Sequence, residues 1–350
     1  MIPYGRQDIN QADIDSVINV LHSDFLTQGP QVPLFEKVVS NYCGAAFGIA
    51  VNSATSALHI ACLALGLGKG DWLWTSPNSF VASANCGLYC GAKIDFVDID
   101  PQTYNLSAEE LERKLIQAKQ DDNLPKIVIP VHFSGQSCDM KKIYSLSQEY
   151  GFKIITTAEG GLAATNDKEL SERMQLFRSH GVTRNPELMS KLSEGGWYYQ
   201  QVDLGFNYRM TELQAALGVS QMQRLDEFVT QRHILQERYD SLLSGLPIIK
   251  PHQSQDSYSA LHLYPVQIDV DSVGKGREKI FDELRQNGIG VNVHYIPIHT
   301  QPYYLQFGFK VGDFPNSESY YNRTISIPLF HAMTVEQQDE VLNVLTRVIQ

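Results

Sequence analysis

The sequence predicts an α/β protein with a large, mostly parallel sheet covered by helices on both faces, followed by a smaller α+β unit. In the first half of the chain, short apolar segments alternate with longer amphipathic segments of helical periodicity. Several amphipathic segments end at a glycine, as at Gly44, Gly66 and Gly151, which is typical of a helix end. Strands that alternate with helices in this way usually form parallel sheets, because each crossover helix returns the chain to the same end of the sheet.

Local signals define the predicted elements of the first half. The helices are amphipathic and have capping residues or terminal glycines, and they cover residues 11–22, 33–42, 56–65, 80–89, 107–118 and 139–150. The strands are short and apolar, and they cover residues 47–51, 72–76, 94–97 and 127–131. Ser107 and Glu110 have the spacing of a capping box, which predicts the start of their helix.

Beyond Gly161 the pattern changes and predicts a second unit. Residues 168–178 and most of 211–243 have helical periodicity, and a loop rich in Gly, Tyr and Gln separates them. The last part combines a strand at 262–268, a helix at 275–286, a strand at 290–295 and a helix that starts at the capping box of Thr334 and Gln337. We therefore predict a large domain over residues 1–245 and a small domain over residues 246–350.

Composition and charge argue against several classes of function. The 350 residues are 43% hydrophobic and 19% charged, and the net charge of −11 is unsuited to binding nucleic acid or an anionic membrane. We expect neither a signal peptide nor a membrane span. The cysteines lack the spacing of a zinc site, so we expect no metal and reduced packing residues in a cytoplasmic protein; they are Cys43, Cys62, Cys86, Cys90 and Cys138.

Residues 52–56, Asn-Ser-Ala-Thr-Ser, lie where a predicted strand ends and a predicted helix begins. Backbone N–H groups at a helix start, together with the helix dipole, favour a bound phosphate. The Ser and Thr hydroxyls can equally act as simple helix caps, so both interpretations stay open. Phe80 follows the next strand end, where its ring can lie against a planar cofactor or belong to the core.

Three further segments carry side chains that suit an anion or a substrate. Residues 178–184 place a histidine and two arginines around a glycine, and residues 205–211 place Asn207 and an arginine before a long helix. Residues 294–299, His-Tyr-Ile-Pro-Ile-His, end a predicted strand of the small domain. Each segment also has an ordinary interpretation, as exposed arginines, an Asn turn or a packed aromatic corner.

Taken together, these motifs resemble those of the DegT/DnrJ/EryC1/StrS family of sugar aminotransferases, from Tyr4 to the C-terminus. The segments that carry the resemblance are residues 25–29 (Phe-Leu-Thr-Gln-Gly), 52–56, 79–85, 153–161 (Lys-Ile-Ile-Thr-Thr-Ala-Glu-Gly-Gly), 178–181, 205–210 and 293–295. The resemblance implies the PLP-dependent transferase fold type I, which is aspartate-aminotransferase-like, and a homodimer with a shared active site. It also implies pyridoxal 5′-phosphate (PLP) as cofactor. The implied reaction moves an amino group from L-glutamate to the C4 ketone of a UDP-linked 4-keto-6-deoxy-N-acetylhexosamine, in pseudaminic acid or related nucleotide-sugar biosynthesis.

The resemblance implies roles for individual residues as well. Lys153 is the expected catalytic lysine, which bonds PLP and carries the proton. The expected cofactor-binding residues contact the phosphate and the ring, and they are Ser53, Ala54, Thr55, Phe80 and Asn207, the last reaching across from the partner subunit. The expected substrate-binding residues line the nucleotide-sugar pocket, and they are Tyr4, Asp24, Phe25, Leu26, Thr27, Ala54, Asn207, Asn292, Val293, His294 and Tyr295.

The chain departs from the family pattern around residue 153. The family has a strand ending in an acidic motif, whose Asp pairs with the pyridine nitrogen, and then a further strand with a phosphate-binding serine. Here residues 150–152 run directly into Lys153, so about 30 residues, roughly one supersecondary unit, are missing. No Asp lies between Asp139 and Asp167. Lys153 can therefore correspond either to the lysine that opens the strand after the helix or to the catalytic lysine.

We predict that the shortened chain has severely reduced or no transaminase activity. Without a carboxylate partner the ring nitrogen loses its proton more readily, and the ring becomes a poorer acceptor of electrons. Two alternatives stay open. One is a catalytically inactive nucleotide-sugar-binding or dimerisation relic of the family. The other is PLP-dependent dehydration, in which a histidine replaces the catalytic lysine.

Overall fold

The computed structural model describes residues 1–157 and 161–350, and its first half alternates helices with short strands. The helices of this half are α1 Gln11–Leu21, α2 Gln31–Cys43, α3 Ala54–Ala64, α4 Ala82–Tyr89, α5 Ala108–Gln120 and α6 Met140–Tyr150. The strands are β1 Phe47–Ala50, β2 Trp72–Thr75, β3 Lys93–Phe96, β4 Ile127–Ile129 and β5 Lys153–Ile154. Every helix and strand predicted for this half is present, with small differences at the ends.

The second half begins with a short strand and becomes mostly helical. Its strands are β6 Leu162–Thr165, β7 Val182–Thr183, β8 Gln200–Gln201, β9 Ile248–Ile249, β10 Tyr264–Ile268 and β11 Thr324–Ile327. Its helices are α7 Lys168–Arg178, α8 Glu212–Met222, α9 Leu225–Leu242, α10 Val270–Val273, α11 Arg277–Gln286, α12 Pro302–Leu305, α13 Pro315–Arg323 and α14 Val335–Ile349. Short 3₁₀ turns occupy Phe133–Gly135 and Ile298–Thr300.

A four-stranded sheet in the order β3-β2-β4-β5 forms the centre of the first half, and every pairing in it is parallel. One apolar core packs α5 and α6 against the sheet, around Leu111, Leu115 and Ile143. A second core packs α3 and α4, around Leu58 and Cys86. The prediction of a parallel sheet with helices on both faces is therefore confirmed.

The sheet is interrupted between β5 and β6. Within residues 1–157 and 161–350, strand β6 pairs only with β1, in an antiparallel ladder that aligns Ile49 with Ala163, and β5 pairs only with β4. Among the described residues, no strand hydrogen-bonds to both β5 and β6. The large sheet is thus divided into a four-stranded part and a two-stranded part. The division lies just after Lys153, where the sequence departs from the family pattern.

The C-terminal unit has its own antiparallel sheet and its own core. The strand order is β11-β10-β9, and α11 and α14 pack with it. Its core also includes Leu235 and Tyr239 from α9 and Ile2 from the N-terminus. Residues from both sides of position 245 therefore share one apolar core, and the predicted domain boundary at that position stays a prediction.

One predicted strand is wrong. Residues 290–295 form an irregular segment with a single bridge between Asn292 and Ser326. The side-chain oxygen of Asn292 accepts the N–H of Val293 at 2.8 Å, and such local bonds compete with a sheet ladder. Besides β9, the strand that pairs with β10 is β11, which the sequence pattern did not indicate because polar Thr324 and Ser326 are buried in it.

The two predicted capping boxes differ in outcome. At Thr334 both bonds form, because its hydroxyl accepts the N–H of Gln337 at 3.2 Å while the Gln337 side chain accepts the N–H of Thr334 at 3.0 Å. At Ser107 only the hydroxyl bond to the N–H of Glu110 forms. The Glu110 carboxylate instead pairs with Arg113 on the exposed face of α5.

Two bulk predictions can be compared with the structure. All five cysteines are free thiols, and Cys62, Cys86 and Cys138 are buried. Across residues 1–157 and 161–350, no helix combines the length and the apolar character that a bilayer span requires.

A buried carboxylate joins α1 to α8. Asp13 is fully buried and accepts hydrogen bonds from Ser220 Oγ at 2.6 Å, Gln221 Nε2 at 2.7 Å and Arg224 at 2.6 Å. It also accepts the backbone N–H of Asn10 at the start of its own helix. Burial raises the pKa of Asp13, but these hydrogen bonds and the charge of Arg224 outweigh burial and lower the pKa overall.

We expect Asp13→Asn to lower the free energy of unfolding by about 3 kcal/mol, because it leaves the donors of this buried network without an anion. Urea denaturation followed by circular dichroism measures the change. The matched control is Asp15→Asn on the exposed face of the same helix, for which we expect a change below about 0.5 kcal/mol. Equal effects of the two substitutions would show that the Asp13 network contributes nothing beyond a surface charge.

Candidate functional site

A cavity of about 250 Å³ lies at the carboxyl ends of the parallel strands. Polar residues follow β2 and β4 at this edge, among them Ser79, His132 and Ser134. They lie close together because the carboxyl ends of parallel strands meet at the same edge of a sheet. The residues that line the cavity come from both halves of the chain, and they are Ala54, Thr55, Leu58, Ser79, Phe80, Ala82, Ser83, Val131, His132, Phe133, Ser134, Thr157, His262 and Tyr295.

The N-terminus of α3 forms one wall of the cavity. Ser53 is the N-cap, and its hydroxyl accepts the N–H of Ser56 at 3.1 Å, while Ser56 Oγ donates to Asn52 Oδ1 at 2.7 Å. Ala54 and Thr55, in the first turn, line the cavity. The first turn of a helix offers free N–H groups and positive potential, so this wall suits an anionic group such as phosphate.

Aromatic rings cover another side of the cavity. Phe80 has 59% of its surface exposed, and its ring centroid lies 6.4 Å from that of Tyr295. The backbone N–H of Tyr295 donates to the buried side chain of Asn78 at 3.3 Å, which holds the segment of the C-terminal unit over the strand end. An exposed ring beside an anion site can stack on a planar ligand.

Three histidines at or beside the cavity are held in the neutral form by burial. Burial lowers the pKa of His132, and it lowers the pKa of His262 and of His294 to about 4. His294 Nδ1 lies 2.8 Å from Ser326 Oγ, and His132 Nδ1 accepts the N–H of Cys138 at 3.2 Å. The site therefore offers neutral imidazoles near pH 7 and no positive charge from them.

Lys153 does not line this cavity. Its N–H donates to Lys126 O at 2.8 Å, and the same ladder continues from Ile155 to Val128 O, so Lys153 opens β5 at the amino end of the sheet. Thr157 at the carboxyl end does line the cavity, and an extended strand rises about 3.3 Å per residue, so the Cα atoms of residues 153 and 157 lie roughly 13 Å apart. Lys153 thus lies at the start of a strand, and its expected role as the catalytic lysine stays a prediction.

Other residues expected at the site lie away from the cavity. Asn207 is exposed and forms a backbone bridge with Ser179. Asp24, Phe25, Leu26 and Thr27 form an exposed loop after α1, where Leu26 O accepts the N–H of Glu212. This placement does not test their expected roles, which depend on a partner subunit.

The expected sugar-pocket residues of the C-terminal unit are only partly gathered. Tyr4 packs against His294 with ring centroids 5.5 Å apart, and Asn292 Nδ2 lies 3.4 Å from His294 Nε2. Val293 follows in the same irregular segment, and Tyr295 reaches the cavity itself. Of the predicted residues, the structure brings Ala54, Thr55, Phe80 and Tyr295 together around the cavity.

Sequence reasoning missed several residues of the cavity wall. His132 and Ser134 follow the carboxyl end of β4, and His262 precedes β10. His132 and Ser134 could have been predicted from the sequence, because polar residues after an apolar strand often face a ligand site in parallel sheets. His262 could not, since only tertiary folding brings it beside the strands of the first half.

The sequence model of the DegT/DnrJ/EryC1/StrS aminotransferase family matches the chain in two parts, residues 7–156 and residues 150–346. The two matches therefore overlap at residues 150–156. A break in the match at this place agrees with an internal gap around Lys153.

Relatives and solved structures cover the whole chain. The spore coat polysaccharide biosynthesis protein SpsC of Bacillus subtilis is 34% identical over 385 aligned residues, which cover 100% of this chain and 97% of the relative. The UDP-4-amino-4,6-dideoxy-N-acetyl-β-L-altrosamine transaminase of Campylobacter jejuni is 30% identical, with 100% and 98% covered. Helicobacter pylori PseC, an aminotransferase involved in the biosynthesis of pseudoaminic acid, superposes with a TM-score of 0.89 at 25% identity, and 99% of each chain is covered. The sequence alignments are longer than the 350-residue chain, so the relatives have residues without a counterpart here.

We expect the free energy of unfolding to fall as the pH drops from about 6.5 to about 4. In this range His294 binds a proton in the unfolded chain but stays neutral when it is buried in the folded protein. A pKa depressed from 6.5 to about 4 corresponds to about 3 kcal/mol for this residue at the acid end. His294→Gln should make the thermal midpoint less dependent on pH in this window, as measured by differential scanning calorimetry. His22→Gln on the exposed end of α1 is the control and should leave the dependence unchanged. If His294→Gln leaves the pH dependence of the thermal midpoint unchanged, buried His294 is not its source.

Proposed function

Because the chain belongs to the DegT/DnrJ/EryC1/StrS aminotransferase family, we propose that its site derives from one that aminates a nucleotide sugar and that this chain performs the reaction very slowly or not at all. The ancestral reaction moves an amino group from L-glutamate to the C4 ketone of a UDP-linked 4-keto-6-deoxy-N-acetylhexosamine. The similarity to the Campylobacter jejuni transaminase and to Helicobacter pylori PseC supports this substrate class and the pseudaminic acid pathway.

Pyridoxal 5′-phosphate is the cofactor of this family of sugar aminotransferases. When bound, it supplies a ring that accepts the electrons released as the substrate loses a proton. The cavity fits part of this molecule. The first turn of α3 suits the phosphate, and Phe80 offers a face for the ring.

The cavity does not fit the rest of the cofactor's chemistry. Among its described lining residues there is no lysine to bond the cofactor and no carboxylate to hold a proton on the ring nitrogen. Neutral imidazoles cannot replace that carboxylate, because they provide no negative charge near pH 7. We therefore derive no catalytic step through the cofactor for this chain.

The observation that carries the proposal is the position of Lys153. One residue cannot both open β5 at the amino end of the sheet and reach the cavity at the carboxyl end. In the family pattern, the residues that this chain lacks lie between the strand-opening lysine and the catalytic lysine. The position of Lys153 in the backbone ladder supports the strand-opening role for it.

A non-catalytic binding protein of the same family is the second candidate. It is favoured by the retention of the anion wall at α3 and of the aromatic wall at Phe80 and Tyr295, in a cavity without the lysine. Such a protein binds a phosphorylated ligand or a nucleotide sugar and releases it unchanged.

We also propose a homodimer in the cytoplasm. Asn207 is exposed, and Phe25 and Leu26 expose about half of their surface on one loop after α1, as expected for residues that a partner subunit covers. Sedimentation velocity on the purified chain measures the oligomeric state, and a monomer at all concentrations would exclude a shared site.

The central test combines turnover with covalent trapping. We expect the purified chain, mixed with PLP and treated with borohydride, to show no stoichiometric label on a single lysine by peptide mapping. Amino transfer from glutamate to a UDP-linked 4-keto sugar should stay at the rate of the PLP control without protein. Stoichiometric label on Lys153 together with turnover would establish an active transaminase and overturn the proposal.

Binding of PLP without covalent attachment is a separate expectation. Phe80→Ala should weaken PLP binding about fivefold, because it removes one stacking face. Lys153→Met should change the affinity by less than about twofold, since Lys153 lies at the other end of the sheet. Fluorescence titration of both variants measures the two affinities. A large loss in Lys153→Met with Phe80→Ala unaffected would place the cofactor elsewhere.

A further inference from the structure

The thiols between α3 and α4 take no part in the proposed site. We propose that Cys90 and Cys62 are a thiol pair that a hydroperoxide oxidises to a disulfide, with Cys90 as the reacting thiol and Cys62 as the resolving thiol. This inference does not depend on the proposed function. Cys62 lies eight residues beyond Ala54 in α3, and Cys90 lies eight residues beyond Ala82 in α4, so each is about 12 Å along its helix from the cavity wall.

Three of the five cysteines meet where α3 packs against α4. Cys62 and Cys86 are buried in one apolar core, and half-buried Cys90 packs against the same core. Cys90 is the C-cap of α4 and has φ −81° and ψ −3°, so it stays near the face of Cys86, four residues earlier. The thiol of Cys62 is in hydrogen-bonding contact with both. The two helices thus present their cysteines to each other.

The spacing of packed helices suits a disulfide between Cys62 and Cys90. Axes of packed helices lie roughly 8–10 Å apart and each Cα lies about 2.3 Å from its axis, so facing Cα atoms approach within about 3.5–5.5 Å. The Cα atoms of a disulfide are usually about 4.4–6.8 Å apart. The two sulfur atoms, already in contact, can therefore bond with little movement of either helix.

His59 brings a basic group to the same place. It lies one turn before Cys62 on α3 and is only 4% exposed. Its Nδ1 lies 3.1 Å from Tyr208 Oη, and its buried Nε2 has no other partner among the described residues. The ring of Tyr89, the neighbour of Cys90, lies 5.4 Å from the imidazole ring, centroid to centroid. The second ring nitrogen is therefore available to the Cys90 thiol.

These contacts give the two thiols different roles. The hydrogen bond from Cys62 and the nearby His59 outweigh burial and lower the pKa of Cys90 to about 6. Hydrogen bonding with Cys86 and Cys90, together with burial, raises the pKa of Cys62 well above its usual range. Cys90 is therefore mostly a thiolate at pH 7, while Cys62 stays protonated. Cys90 is also the less buried of the two, so an oxidant from solvent meets the thiolate first.

The oxidation has two steps and uses one hydroperoxide molecule. The Cys90 thiolate attacks one peroxide oxygen, the O–O bond breaks, and the other oxygen takes up a proton and leaves as an alcohol or water. Cys90 is then a sulfenic acid. The sulfur of Cys62 loses its proton and attacks the Cys90 sulfur, the S–O bond breaks, and water leaves. Two thiols thus give up two electrons, which reduce the hydroperoxide.

Peptide mapping of the oxidised full chain is the direct test. The reduced chain, freed of reductant, is treated with hydrogen peroxide at pH 7, blocked with N-ethylmaleimide and mapped by mass spectrometry without reduction. Chymotrypsin can cleave after Phe47 and Tyr89, which separates Cys62 from Cys43 and Cys90 from Cys86. We expect a cross-link between Cys62 and Cys90 in nearly every chain, and we expect added reductant to remove it.

Cysteine variants test the two roles. Cys62→Ser should abolish the disulfide and leave a sulfenic acid on Cys90, which dimedone labels. Cys90→Ser should abolish the disulfide and leave Cys62 reduced, because its thiol stays protonated. Cys86→Ser and Cys43→Ser are the matched controls, and each should form the disulfide as the unaltered chain does. Circular dichroism confirms that each variant is folded.

His59→Gln tests the contribution of the imidazole. It should slow the loss of the free Cys90 thiol about threefold, because a smaller fraction of Cys90 is then a thiolate. The final yield of the disulfide should not change. Loosened packing of α3 would instead expose the thiols and speed their oxidation. An unchanged rate would overturn the role of His59.

The outcomes separate a specific pair from general oxidation. A disulfide that needs Cys62 and Cys90 but neither of the other two supports the proposal. A disulfide formed through Cys86 or Cys43 would overturn the pairing, and so would a folded chain in which peroxide leaves Cys90 reduced. A stable sulfenic acid on Cys90 of the unaltered chain, without a disulfide, would overturn the role of Cys62.

Discussion

The parallel ladder between β4 and β5 is the constraint on which the rest of the site depends. Its bonds begin at Lys153 and fix the direction of the following residues, so the chain arrives at the cavity with Thr157 and not with a lysine. A shift of β5 that brought Lys153 to the cavity would break these backbone hydrogen bonds to the β4 segment. The same backbone ladder therefore holds Lys153 at the amino end of β5, away from the cavity.

What remains around the cavity is a binding geometry. The first turn of α3, the exposed ring of Phe80 and the anchored backbone of Tyr295 each depend on elements away from the gap, so they keep their positions. A wall suited to an anion and an aromatic wall therefore meet at this cavity, on elements outside the segment around Lys153.

A second cavity, of about 610 Å³, lies at the interruption between β5 and β6, and it shares Ala54, Leu58, His132 and Thr157 with the first cavity as lining residues. The interruption of the sheet and the cavity at the carboxyl ends of the strands are therefore contiguous in the fold.

The sequence by itself determined the fold class, the order of helices and strands in the first half, the family and the absence of the Asp, because local periodicity, caps and motifs are properties of short segments. It correctly placed Thr55 and Phe80 at the strand ends. The sequence could not choose between the two roles for Lys153, because both the strand-opening position and the catalytic position are lysines in the family. It also predicted a strand at 290–295, whereas β11 is the segment that pairs with β10. It missed His262, because contacts between distant segments bring this residue to the cavity. Only the tertiary structure, through the hydrogen-bond register of β5 on β4, decided that the lysine lies at the far end of the sheet from the cavity.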